Sequence, residues 1–275
     1  MPRSPLQIAS HLELLHQEPA HLVGRDRERV MLLAQMQAGR SLFVSGAAGV
    51  GKTALLQATC AAWGASREAP PVFYCADSRT RRSLVTHLLV NLLHYRGCLH
   101  STYIERPTVV QSLRALQQFV SSTHLPALYR MLHHNLPPGA WIVLDQLDNP
   151  DPKVASMVEV WLERARLILV ARNPEDLGRC RWLLSTLEHV EVPALSTAIL
   201  IRLAREMRQD LARLTIRDSD VRRAAVRSAG NPRRFQELLT TASKPQYQRH
   251  GAIMWNVVDI DLRIRASVAA ETVEP

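Results

Sequence analysis

Residues 42–57 read Leu42-Phe43-Val44-Ser45-Gly46-Ala47-Ala48-Gly49-Val50-Gly51-Lys52-Thr53-Ala54-Leu55-Leu56-Gln57. An apolar run of strand length meets a glycine-rich turn, then a lysine, a hydroxyl residue and the start of a helical pattern. The middle of the stretch fits G-x-x-x-x-G-K-T, with the strand before it and the helix after it that this pattern requires. Glycines let the backbone curl so that successive N–H groups point inward, and the helix N-terminus adds its partial positive charge. Gly46, Ala47, Ala48, Gly49, Val50, Gly51, Lys52, Thr53 and Ala54 are therefore read as a phosphate cradle. Lys52 would reach the β- and γ-phosphates and Thr53 would ligate Mg²⁺. The stretch predicts binding of a nucleoside triphosphate.

Outward from the loop, short apolar runs alternate with helical patterns. Strands are expected at Ser41 to Ser45, Val72 to Ala76, Trp141 to Asp145 and Leu167 to Ala171, with a weaker one at Val190 to Val192. Helices are expected over Arg25 to Gln37, Lys52 to Ala62 and Arg81 to Tyr95, the last placing Leu84, Leu88 and Leu92 on one face. This alternation predicts an α/β fold with a parallel sheet covered on both faces. Gly97 to Pro138 reads as a long helical insertion, and from Ser196 onward the pattern is all helical. Ser196 would cap a helix carrying Leu200, Leu203, Ala204, Met207 and Leu211, and a second helix would span Asp218 to Ala229. Gly230 then closes that helix, Asn231 caps the next and Pro232 takes its first position. The expected division is an arm over 1–20, a nucleotide-binding core over 21–195 with the insertion at 97–138, a helical lid over 196–243 and a short mixed tail over 244–275.

The partner of the phosphate loop is Asp145, an acid ending the apolar run Trp141 to Leu144. Such an acid can hold the Mg²⁺ shell through water. The residue after it is Gln146, where many P-loop ATPases carry a glutamate that polarises the attacking water. A glutamine can hydrogen-bond that water but is not a useful base. Asp148 could substitute if the turn brings it close. Slow or absent hydrolysis is the expectation.

The bulk properties agree with a soluble intracellular domain. Of 275 residues, 47% are hydrophobic and 21% charged, which argues against disordered, collagen-like and coiled-coil classes. No apolar run approaches the roughly 18 residues of a membrane helix, and the N-terminus has no apolar region of signal-peptide type. The four cysteines form no C-x-x-C pair and read as reduced thiols of a cytosolic, cytoplasmic protein. No zinc pattern or nucleophile elbow is present. Net charge is +9, and only Lys52, Lys153 and Lys244 are lysines, so the excess is arginine. Ten arginines against four acids fall between Arg202 and Arg234. Two readings stand: base composition of the genome, or a surface for nucleic-acid phosphates.

Taken together these motifs resemble AAA+ ATPases of the initiator and transposition-regulator kind (origin-recognition and Cdc6-like proteins, and the TniB and TnsC transposition ATPases). They equally resemble the related STAND switch ATPases. Val23 and Gly24, within Leu22 to Glu28, resemble the box that precedes the first core strand and cups adenine. Arg172-Asn173 resembles sensor 1, which implies that Asn173 faces the γ-phosphate. Gly230-Asn231-Pro232-Arg233 stands where sensor 2 stands. The initiator reading makes Arg233 the γ-phosphate reader, and the STAND reading makes Pro232 pack on the nucleotide as part of a G-x-P motif.

The resemblance covers residues 21 to 242 and implies a P-loop NTPase core with a lid, ATP and Mg²⁺ as cofactors, and a catalytic group of Asp145, Gln146, Asp148, Asn173 and Arg233. In the initiator reading it implies ATP-controlled assembly into a ring or filament on the double-stranded DNA backbone. A replication, recombination or transposition partner would then be recruited. The alternative is a nucleotide switch of STAND type, or a pseudo-ATPase subunit, controlling a protein partner without DNA. No membrane is implied. Two features depart from the initiators. The stretch Ser185 to Glu188, where their arginine finger sits, has no arginine, and Arg179 and Arg181 are the nearest candidates. Residues 245–275 are also too few to build their winged-helix domain.

Overall fold

The computed structural model describes residues 22–66, 68–76, 80–101, 108–210, 216–249 and 252–271. The expected arm over 1–20 and Leu211 lie outside them. The described chain forms two compact units: one runs to Gly46 and from Lys52 to Val192, the other takes in Ala47–Gly51 together with the chain from Pro193 onward.

In the first unit the elements are α1 (Asp26–Gln37), β1 (Leu42–Ser45), α2 (Lys52–Gly64), β2 (Val72–Cys75), α3 (Arg81–Arg96), β3 (Leu99–Ser101), β4 (Thr108–Val110), α4 (Leu113–Ser122), α5 (Leu125–Asn135), β5 (Trp141–Leu144), α6 (Pro152–Leu162), β6 (Arg166–Val170) and β7 (Glu188–Glu191). A 3-10 stretch, Pro174–Thr186, precedes β7. The main sheet has the order β2-β5-β6-β1-β7 and is parallel throughout. All four residues of β1 and of β5 are buried, as a parallel sheet covered on both faces demands. Phe43, Phe73, Ile142, Leu144, Leu167 and Leu169 pack in one core with Leu84, Leu88 and Leu92 of α3 and Trp161 of α6. Helix α3 starts where Thr80 accepts from the Ser83 amide at 3.2 Å and stops at Gly97, whose φ of +74° a side chain disfavours.

The sheet order positions the site. Strand β6 lies between β1 and β5, so the loop after β1 and the acid after β5 leave the same end of the sheet, the end where parallel sheets bind ligands.

The stretch 97–138 is not helical throughout. It opens with the antiparallel pair β3–β4, in which Leu99 and Val110 face inward and Val109 is exposed, and α4 and α5 follow. Asn135 secures the pair: its Oδ1 accepts the His100 amide at 3.1 Å and its Nδ2 donates to the His100 carbonyl at 2.8 Å, as a neighbouring strand would.

The second unit is mostly helical, with α7 (Thr197–Asp210), α8 (Asp218–Arg227), α9 (Pro232–Ala242), a small hairpin of β8 (Gln248–Arg249) and β9 (Ala252–Ile253), and α10 (Trp255–Glu271). The tail expected to be mixed is therefore chiefly a helix. It is anchored by buried Trp255 and Val258, by the Arg227–Asp259 ion pair and by Tyr247, whose hydroxyl donates to Asp261 at 2.8 Å. Among the described residues, no helix is long and apolar enough to cross a membrane.

Candidate functional site

Gly46, Gly49 and Gly51 adopt φ of +150°, +78° and +101°, which residues with side chains rarely adopt. The Gly46 amide donates to the Arg172 carbonyl at 3.0 Å, tying the start of the loop to the chain leaving β6. Lys52 folds back so that its Nζ donates to the Gly46 carbonyl. Burial lowers the pKa of its ammonium group. Asp145 and Asp148 oppose that shift, Arg172 adds to it and Asp176 again opposes. The loop mouth thus combines one lysine with nearby carboxylates and a guanidinium.

Asp145 is 1% exposed and heavily hydrogen-bonded. Its Oδ2 accepts the Thr53 hydroxyl at 2.7 Å and its Oδ1 accepts the Gln146 amide at 2.8 Å. A third donor, the Tyr74 hydroxyl, reaches Oδ2 at 2.5 Å. The sequence reading passed over Tyr74 because it stands third in the apolar run Val72–Cys75, where an aromatic residue reads as core. Its lone hydroxyl was the only signal. Burial raises the Tyr74 pKa well above the ordinary range, and the Asp145 charge and hydrogen bond raise it further. The group therefore stays protonated and donates.

The other residues read as catalytic are held in different ways. Gln146 has φ +55° and an exposed side chain. Asp148 is committed to Arg172, accepting its amide at 3.0 Å and pairing with its Nε at 3.1 Å. Asn173 donates through its backbone and side-chain nitrogens to Asp176, at 3.2 and 3.4 Å. Arg179 and Arg181 are exposed, with Arg181 at 3.7 Å from Glu175. Val23 is buried, Gly24 has φ +70°, and the neighbouring Arg25 is buried in a 3.2 Å ion pair with Glu28.

Within the second unit, the loop backbone is gripped by the turn that starts α9. Asn231 Nδ2 donates to the Ala48 carbonyl at 2.7 Å, and the Arg233 amide donates to the Gly49 carbonyl at 3.3 Å. A Cβ on Gly49 would lie 2.8 Å from Asn231 Oδ1 and 3.0 Å from Arg233 Cβ, so this approach needs glycine. Pro232 Cγ lies 4.0 Å from where a Cβ on Gly51 would stand. The Arg233 guanidinium is 75% exposed and bonds Glu237 at 3.0 Å. Within the motif at 230–233, the sequence gives Asn231 no role of its own beyond capping a helix. It does cap α9, accepting the Arg234 amide at 3.1 Å, but its other amide atom holds the loop.

These groups suit the phosphates of a nucleotide with Mg²⁺. The loop is a cradle that only glycines can form, and Thr53 spends its proton on Asp145 while keeping its lone pairs.

The family model for the NACHT domain matches residues 40–210. No curated protein matches the sequence. Among solved structures, Cdc6p from Pyrobaculum aerophilum is similar at 13% identity with a TM-score of 0.60, covering 84% of this chain and 64% of its own. The Aeropyrum pernix Orc1 protein, solved in complex with DNA, is similar at 18% identity with a TM-score of 0.59, covering 95% of this chain and 72% of its own. The Orc2 protein of the same organism, solved in ADPNP and ADP complexes, gives 17%, a TM-score of 0.55, and 83% and 66% coverage. The present chain thus spans about two thirds of the length of these proteins, and at such identities the likeness is one of fold.

Proposed function

Because the chain belongs to the NACHT family of P-loop nucleotide-binding domains, we propose that it is an ATP-dependent switch of STAND type that controls a protein partner. ATP would lie in the loop 46–54, with Lys52 on its phosphates and the Thr53 hydroxyl on Mg²⁺, which neutralises phosphate charge when bound. The observation that carries this reading is the grip of Asn231 and Arg233 on the carbonyls of Ala48 and Gly49. A phosphate that reshapes the loop must also move or tighten the turn that starts α9. Differential contact of this kind is what a ligand needs in order to shift a conformational equilibrium. Titration calorimetry with ATP and with ADP tests the reading. Both should bind in Mg²⁺, with different affinities or enthalpies; failure to bind, or identical behaviour, overturns it.

Hydrolysis is expected to be slow. Asp148 is tied to Arg172, Asn173 to Asp176, and the residue after Asp145 is a glutamine. Replacing Gln146 with glutamate supplies a base beside the acid and should raise phosphate release by about tenfold or more. Unchanged turnover would mean that the missing element is not the base.

The initiator reading keeps one observation in its favour: Arg205, Arg222, Arg223 and Arg234 are exposed on α7, α8 and α9. It requires ATP-dependent binding to duplex DNA whose affinity falls steeply with salt. Nucleotide-responsive behaviour without DNA affinity at low salt decides for the protein-partner switch.

A further inference from the structure

Asp145 has more hydrogen-bond donors than a metal-holding acid needs. Two hydroxyls point at Oδ2, from Thr53 at 2.7 Å and Tyr74 at 2.5 Å, and the Gln146 amide points at Oδ1 at 2.8 Å. A carboxylate offers about four acceptor sites, so at most one remains for a cation or a water bound to it. The Thr53 bond does not compete with Mg²⁺, because a hydroxyl that donates its proton still presents lone pairs. The Tyr74 bond does compete. It fills a lone-pair site and draws charge from the carboxylate, and bonds from hydroxyls to charged oxygens are among the strong ones.

Tyr74 is also held in place. It is 6% exposed and pairs with Val143 in the sheet, and its carbonyl accepts Asn91 Nδ2 at 3.1 Å. Its phenol cannot swing to solvent without leaving the core.

We propose that Tyr74 is a positioning residue that restrains Asp145 from engaging Mg²⁺, so that this chain holds its nucleotide with little help from the cation. The inference rests on the nucleotide-switch reading above and specifies its cation dependence. Lys52 and Arg172 would then carry most of the positive charge facing the phosphates, and bound nucleotide would persist when the cation is lost.

The test is the ratio of two dissociation constants for a fluorescent ATP analogue on the full chain, in EDTA and in Mg²⁺. The wild type should show a ratio below about ten, and Tyr74→Phe should raise it about tenfold through tighter binding in Mg²⁺ alone. A lesion of the fold would weaken binding in both buffers and leave the ratio unmoved. In an Asp145→Asn background, Tyr74→Phe should add nothing. A Tyr74→Phe protein that binds nucleotide as tightly as the wild type in EDTA, with an unchanged or lower ratio, overturns the inference, and so does a wild-type ratio well above about ten. A wild type that binds in neither buffer overturns the switch reading itself, which is a different result.

Discussion

Lys52→Ala is expected to weaken ATP binding at least about a hundredfold, roughly 3 kcal/mol, as a lost charge-assisted contact in a partly desolvated site. Lys52 is the one lysine of the loop, and its ammonium closes onto the Gly46 carbonyl. The groups that perturb it include Asp145, Asp148 and Asp176 as well as Arg172. Removing the lysine leaves these carboxylates facing an incoming triphosphate, and Arg172, itself paired with Asp148, offsets them only in part. The loss should appear in calorimetric titration, with the circular dichroism spectrum unchanged. Retention of affinity within about threefold would show that the phosphates are not held at this loop.

The second large effect concerns stability and comes as a pair of opposite signs. Gly230 has φ +79°, and a Cβ there would stand 2.6 Å from the Leu195 carbonyl oxygen and 2.8 Å from Ala194 Cβ. The Gly230 carbonyl also accepts the Leu195 amide at 2.8 Å, so the two backbone segments are bound together and cannot part cheaply. Gly230→Ala should cost about 2–4 kcal/mol, from overpacking and left-handed strain together. That corresponds to a fall in Tm of very roughly 5–10 °C. The preceding residue, Ala229, is exposed and has φ +50° without being glycine. Ala229→Gly should relieve that strain and gain about 1 kcal/mol. Denaturant titration of both variants checks the pair. A neutral Gly230→Ala would contradict the close approach of residue 230 to residues 194 and 195.

The parts of the fold legible in the sequence are those that local chemistry dictates. The loop 46–53 needs three residues at positive φ and has three glycines to provide them. The apolar runs at 42–45, 72–75 and 141–144 are strands because both sheet faces are covered, and their ends fall within a residue of the expectation. The order of the strands was not legible, because a buried run carries no mark of its neighbour; nothing in Leu167–Val170 says that it separates β1 from β5. The pair β3–β4 was missed because strands of three residues are too short to establish a period. Helix α10 was missed for a different reason. Its buried anchors Trp255 and Val258 are outnumbered by exposed Val257, Ile260, Ile264 and Val268, so its apolar pattern shows no single stripe.

The candidate site divides in the same way. Lys52, Thr53 and Asp145 announce themselves by motif, and Thr53 and Asp145 meet in a hydrogen bond. The commitments that temper the site lie between residues distant in sequence: Tyr74 on Asp145, Arg172 on Asp148, and Asn231 on Ala48. Only folding reveals these contacts. Motif reading also left the initiator and STAND alternatives open at residues 230–233, because Pro232 and Arg233 satisfy both patterns. In the structure the Arg233 guanidinium is engaged with Glu237, while the turn grips the loop through Asn231 and the Arg233 backbone. That arrangement accords with the switch reading.

Hydrogen exchange of the full chain, measured without nucleotide, with ADP and Mg²⁺, and with ATP and Mg²⁺, tests the central claim most directly. The account predicts that amides of residues 46–54 slow with either nucleotide, whereas those of residues 229–236 change only with ATP. Protection of the loop with no response at 229–236, or the same response to ADP and ATP, would contradict it.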